Sequence, residues 1–219
     1  MVKVKICGLK TLADVEKVNR YLPEDIGFVF ADTRRFVTDE QALSMRQSLD
    51  QRIQAVGVFV NEPVEHVIRL YDRGVINVVQ LHGEESEAYI RELKQKTDTT
   101  VIKAVKVQNM EKLSEQMSQE ADYMLFDTYK KGTLGGTGER FPLQILDESL
   151  KGLRARGQTV KPYFLAGGLD CQNVGEVLGQ VECYAVDVST GVETDQVKDE
   201  IKIRQFIEIV RSAKNFEQT

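Results

Sequence analysis

VKVKIC, residues 2–7, is the stretch whose reading decides the fold. Successive side chains of a strand point to opposite faces, so Val4 and Ile6 share one face while Lys3, Lys5 and Cys7 share the other. If the apolar face packs on helices, Lys5 and Cys7 turn toward a strand-lined interior. Seven further short runs follow: IGFVF (26–30), AVGVFV (55–60), VVQLH (78–82), VIKAV (101–105), YMLFD (123–127), PYFLA (162–166) and YAVDVS (184–189). Between them, apolar residues recur at helical spacing. Eight strand–helix units are the number that closes a (β/α)8 TIM barrel of the α/β class. The 219 residues suffice for one such domain, expected to span 1–219.

The same alternation assigns the other inward positions. Tyr123, Leu125 and Asp127 share one face of the sixth run, Gln80 and His82 share one face of the fourth, and Asp187 points inward on the eighth. Lys103 is assigned inward as well. Lysines and a glutamine in a barrel lumen cost several kcal/mol unless they are paired, and function is one thing that retains such groups.

Functional residues of a barrel collect at the C-terminal ends of its strands. There Cys7 closes the first run and Asp127 the sixth, while FLAGGLD (164–170) and VDVSTGVE (186–193) end in glycine-bearing turns. Backbone N–H groups after the seventh and eighth strands can bind phosphate, which makes Gly167, Gly168, Ser189, Thr190 and Gly191 a candidate cradle. A thiol and a carboxyl over a phosphate cradle suggest proton transfer on a phosphorylated metabolite. A lone cysteine is most often a small buried hydrophobe, but Cys7 stands two residues above Lys5, whose charge favours the thiolate. His82 reads equally as a core histidine or as a substrate contact. Between the sixth and seventh runs the spacing widens around YKKGTLGGTGERF (129–141), a loop expected to act as a lid.

Composition limits the alternatives. The net charge of -5 comes with no basic patch, which argues against nucleic acid as a partner. No apolar stretch reaches the roughly 18 residues of a membrane span, and Met1 leads straight into the first run, so neither membrane nor leader is expected. Three cysteines, Cys7, Cys171 and Cys183, are odd in number and lack metal-type spacing. A cytoplasmic protein without disulfides or metal is the resulting expectation.

Taken jointly, KICGL (5–9), GFVFA (27–31) with Arg35 following, VGVFVNE (56–62), QLHGEE (80–85), FDT (126–128) with GGTGERF (135–141), FLAGGL (164–169) and VDVSTGVE (186–193) resemble the phosphoribosylanthranilate isomerases of tryptophan biosynthesis. The resemblance runs from Lys5 to about Asp199. It implies an Amadori rearrangement of N-(5'-phosphoribosyl)anthranilate without metal or organic cofactor. It also implies roles: Asp127 as the acid that opens the ribose ring, Cys7 as the base that takes the C2' proton, Arg35 on the anthranilate carboxylate and Asp187 on the bridging nitrogen. His82 joins the substrate-binding candidates. The implied partner is a small phosphorylated substrate, and the chain is expected to be a monomer or homodimer.

Two stretches depart from the family pattern. ADTRRF (31–36) lacks the usual Ser-Pro and presents both Arg34 and Arg35, which leaves the choice of clamp open between them. TDQVKD (194–199) lacks the usual glycine before its Lys-Asp pair, a change expected to affect the last phosphate loop. The related sugar isomerases of histidine biosynthesis resemble a duplicated half-barrel with aspartates ending the first and fifth strands. Here those positions are Cys7 and Val105. A non-catalytic phosphate sensor would need the cradle but neither Cys7 nor Asp127.

Overall fold

Each of the eight runs is a strand in the computed structural model, which describes residues 1–106, 113–127 and 143–213. The strands are β1 (Lys3–Cys7), β2 (Asp25–Val29), β3 (Gln54–Phe59), β4 (Val78–Leu81), β5 (Thr100–Lys106), β6 (Tyr123–Asp127), β7 (Tyr163–Ala166) and β8 (Ala185–Val188). They pair in parallel in chain order, and β8 pairs back with β1 through Lys3↔Ala185 and Lys5↔Asp187. The result is the closed (β/α)8 barrel expected from the run count.

Helices α1 (Leu12–Tyr21), α2 (Asp39–Ser48), α3 (Val64–Asp72), α4 (Glu87–Lys96), α5 (Leu113–Ser118), α6 (Leu143–Ala155) and α7 (Val174–Leu178) follow the first seven strands in turn. Their starts are written locally. Thr11 with Asp14, and Thr38 with Gln41, form reciprocal capping boxes that satisfy the first free N–H groups of α1 and α2. Ser86 caps α4 through the N–H of Tyr89. Among the described residues no helix is long and apolar enough to cross a membrane.

Strand alternation creates two apolar layers. Val4, Ile6, Phe28, Phe59, Leu81, Phe126, Leu165 and Val186 face the helices, whereas Val56, Ile102, Leu125, Phe164 and Ala185 fill the lumen. Lys103 departs from expectation. Val101 and Val105, which share its parity, lie in the helix-facing layer, while Ile102 and Ala104 line the lumen. Lys103 therefore points outward, and its length carries Nζ to the Gly83 carbonyl and Glu85 Oε2, both at 2.7 Å.

Two short strands were not expected. After β8, β9 (Glu193–Thr194) and β10 (Val197–Lys198) form an antiparallel hairpin. The final helix α8 (Glu200–Ser212) begins directly after Asp199, which accepts from the N–H groups of Ile201 and Lys202 as its cap. The segment 129–141, expected to act as a lid, lies outside the described residues.

Candidate active site

The end of β1 sets the first part of the site. Lys5 is fully buried in the lumen, and its Nζ donates to Asp187 Oδ2 at 2.8 Å, joining the first and last strands. Two residues further along the same strand face, Cys7 is half-buried at the strand's end. Gly27 lies opposite Cys7 in the β1–β2 register, and a Cβ there would sit 2.7 Å from Cys7 Sγ. The missing side chain on β2 is what gives the thiol its room, a link that sequence reading overlooked.

Charge and burial oppose each other at this thiol. Burial pushes the Cys7 pKa up, Lys5 and Lys198 pull it down, and Asp187 adds to the rise. Burial wins, so the expectation that Lys5 favours the thiolate holds for the lysine's own effect but not for the balance. Burial also works against the Lys5 charge, but Asp187 and Cys7 outweigh it and hold the ammonium above its ordinary value. Deeper in the lumen, burial lifts the Asp25 carboxyl to about 6 despite the charges of Lys5 and Lys3.

Asp127 closes β6 and is exposed at the same end of the barrel. His82 follows β4 directly, with its Nδ1 3.1 Å from Gln80 Nε2. Burial lowers the His82 pKa, while Asp127 and Asp187 pull it up and Lys5 pushes it further down. His82 has the strand parity of Val78, which packs in the lumen layer, and so faces the mouth rather than the helix layer. The turn that carries it is braced by Glu85, whose carboxylate accepts from the N–H groups of Asn61 and Gly83 and from Lys103. QLHGEE contained this brace, but nothing in the order of its letters distinguishes a strut from a catalytic acid.

The two glycine-bearing exits form one surface. Gly167 and Gly168 take φ of 96° and 63°, left-handed values that a side chain would strain. Asp170 and Gly191 make a β-bridge between the two loops, and a Cβ on Gly191 would lie 1.9 Å from the Leu169 carbonyl oxygen. Ser189 Oγ donates to the Cys7 carbonyl at 3.0 Å, and the buried Lys198 Nζ donates to the Ser189 carbonyl at 3.0 Å. Thr190 lies between them, with its carbonyl accepting from the Glu193 N–H at 3.0 Å. The Asp170–Gly191 bridge thus joins the two candidate cradle loops, and Ser189 links the second of them to the end of β1.

Arg34 and Arg35 lie in the loop after β2. Both reach Glu193, Arg34 through Nη2 at 2.6 Å and Arg35 through Nε at 3.1 Å. Arg35 is the more enclosed, and its side chain crosses Gly8 so closely that a Cβ there would meet Arg35 Cδ at 2.3 Å. Its Nη2 is buried without a partner among the described residues. Glu193 and Lys198 were not singled out from the sequence, because their partners are brought together only by barrel closure. Among the described residues no group of three or more His, Cys, Asp or Glu side chains is placed to hold a metal ion.

Known proteins resemble this arrangement over nearly the full chain. A family model described as N-(5'phosphoribosyl)anthranilate (PRA) isomerase matches residues 4–209. A Lachnoclostridium phytofermentans protein named N-(5'-phosphoribosyl)anthranilate isomerase is 44% identical over 208 residues, covering 94% of this chain and 95% of its own length. A protein of the same name from Thermoanaerobacter pseudethanolicus is 43% identical over 211 residues, covering 96% and 98%. Among solved structures, phosphoribosyl anthranilate isomerase from Thermotoga maritima aligns with a TM-score of 0.81 at 34% identity, covering 96% of this chain and 99% of that one. Another, solved in complex with reduced 1-(o-carboxyphenylamino)-1-deoxyribulose 5-phosphate, aligns with a TM-score of 0.79 at 32% identity over 96% and 99%.

Proposed function

The chain belongs to the N-(5'-phosphoribosyl)anthranilate isomerase family, and from that premise we propose how its own residues carry the family's reaction. The enzyme converts N-(5'-phosphoribosyl)anthranilate to 1-(2-carboxyphenylamino)-1-deoxyribulose 5-phosphate in tryptophan biosynthesis by general acid/base catalysis. Asp127 donates a proton to the ribose ring oxygen as the C1'–O bond breaks, leaving a Schiff base to the anthranilate nitrogen. The C2' proton is then acidic, and the Cys7 thiolate removes it to give an enolamine. Protonation at C1' and loss of the C2' hydroxyl proton yield the ketone.

The remaining residues hold the substrate in place. Arg35 pairs with the anthranilate carboxylate, Asp187 contacts the bridging nitrogen, and His82, neutral because it is buried, lies against the open-chain sugar. Gly167, Gly168, Ser189, Thr190 and Gly191 take the phosphate on backbone N–H groups. The observation that carries this reading is the hydrogen bond from Ser189 to the Cys7 carbonyl, since it ties the cradle to the base. A substrate phosphate seated there lies next to the thiol. The enzyme acts on this small metabolite in the cytoplasm as a monomer or homodimer; one solved relative is described as generated monomers of the dimeric isomerase from Thermotoga maritima.

A crystal structure with the reduced product analogue bound tests the arrangement. The phosphate is expected on the two glycine-bearing loops, the carboxylate at Arg35 and the amino nitrogen at Asp187. A phosphate bound elsewhere, or a carboxylate held by Arg34 alone, contradicts it.

A further inference from the structure

One carboxylate meets three basic side chains in the space between the β2 and β8 exits. Glu193 Oε2 accepts from Arg34 Nη2 at 2.6 Å, and its Oε1 accepts from Arg35 Nε at 3.1 Å and from Lys198 Nζ at 2.9 Å. We propose that Glu193 is a positioning residue for substrate specificity: it orients Arg35 through Nε and so leaves the rest of the guanidinium to the anthranilate carboxylate. The inference rests on the assignment of Arg35 as the carboxylate clamp.

Several independent features point the same way. Arg35 Nη2 is buried and lacks a partner among the described residues, and leaving such a donor unpaired is costly until a ligand oxygen arrives. Three cations share one carboxylate, so the cluster retains excess positive charge suited to a further anion. Arg35 has little freedom to turn elsewhere, because its stem passes over Gly8 and Glu193 holds its Nε. Glu193 is itself well anchored: its side chain is 6% exposed, its N–H donates to the Thr190 carbonyl, and its residue faces Lys198 across the β9–β10 pair. Burial works against its charge, but Arg34, Lys198 and Arg35 outweigh that and hold its pKa at about 2. The anchor therefore stays ionised throughout the neutral range.

A double-mutant cycle separates positioning from simple structural support. Glu193→Gln, Arg35→Met and the doubly substituted enzyme are compared with the parent, using anthranilate as the probe of the carboxylate end and inorganic phosphate as the probe of the other. Glutamine still offers an oxygen to Lys198, so phosphate inhibition should stay within about twofold, while Glu193→Gln should weaken anthranilate binding by at least about fivefold, the scale of a contact in one network. In the Arg35→Met background the same change should add less than about twofold. If Arg35→Met alone leaves anthranilate binding unchanged, the clamp assignment itself is wrong. If Arg35→Met weakens binding but Glu193→Gln keeps its full effect without Arg35, the clamp stands and the positioning role is overturned. Glu193→Asp guards against a folding defect, because it keeps the charge and withdraws it by one methylene. It should retain the melting temperature and phosphate affinity yet lose anthranilate affinity, and unchanged anthranilate affinity would also overturn the role.

Discussion

At Cys7, burial keeps the proton on sulfur while Lys5 and Lys198 favour its release. Because burial prevails, the thiolate is a minority species in the free enzyme near neutrality, and its fraction grows with pH until the raised pKa is passed. The rate measured as kcat/KM should therefore rise with pH through the neutral range. Replacing Lys5 by methionine removes one of the charges that lowers the thiol's pKa, so the rising limb should move to higher pH. A limb that stays in place in a folded Lys5→Met enzyme would show that another group titrates there. The positions of Cys7 and Asp127 at strand ends were legible in the sequence because each ends an apolar run, and strand parity then fixes the direction of the side chain. Lys103 was misread because a charged residue in a strand invites a lumen role, whereas parity with Val101 and Val105 turns it outward to Glu85. Glu193 was not legible at all, since its arginine partners lie 158 and 159 residues away.

The eight barrel strands and the helices between them follow from local pattern, but the β9–β10 hairpin does not. Its strands are two residues each, too short for a period to register. Its turn residues, Asp195 and Gln196, both adopt left-handed backbone, with φ of 49° and 66°. Two-residue hairpin turns of this kind favour glycine at the second position, where this chain has Gln196. The missing glycine noted in TDQVKD thus leaves the hairpin in place and strains its turn instead. Gln196→Gly should relieve about 1 kcal/mol of that strain, less the entropy glycine gains in the unfolded chain. The expected outcome is a small rise in melting temperature with KM unchanged, because Lys198 and Glu193 keep their places across the pair. A lower melting temperature would mean that the turn is not strained.

Closure of the whole barrel brings residues near both ends of the chain into one site, and no local reading supplies it. The buried Lys5–Asp187 pair is the clearest case, since its members are 182 residues apart and join β1 to β8. Removing one partner of such a pair leaves a buried charge uncompensated, at about 3–5 kcal/mol, so the chemistry above rests on a lumen that must remain paired. The count of runs predicted the barrel, and the barrel then predicted that Cys7 and Asp127 share one mouth. What the count did not predict was the set of cross-links there, from Ser189 to the Cys7 carbonyl and from Glu193 to both arginines. The central claim is that Cys7 and Asp127 move the protons, and it is tested most directly by the turnover of Cys7→Ala and Asp127→Asn on N-(5'-phosphoribosyl)anthranilate, followed by anthranilate fluorescence in variants of parental melting temperature. Each substitution should lower kcat by at least ~10², the usual scale for a positioned proton-transfer group, while inhibition by inorganic phosphate is preserved. A folded variant of either kind with near-parental kcat would contradict the assignment.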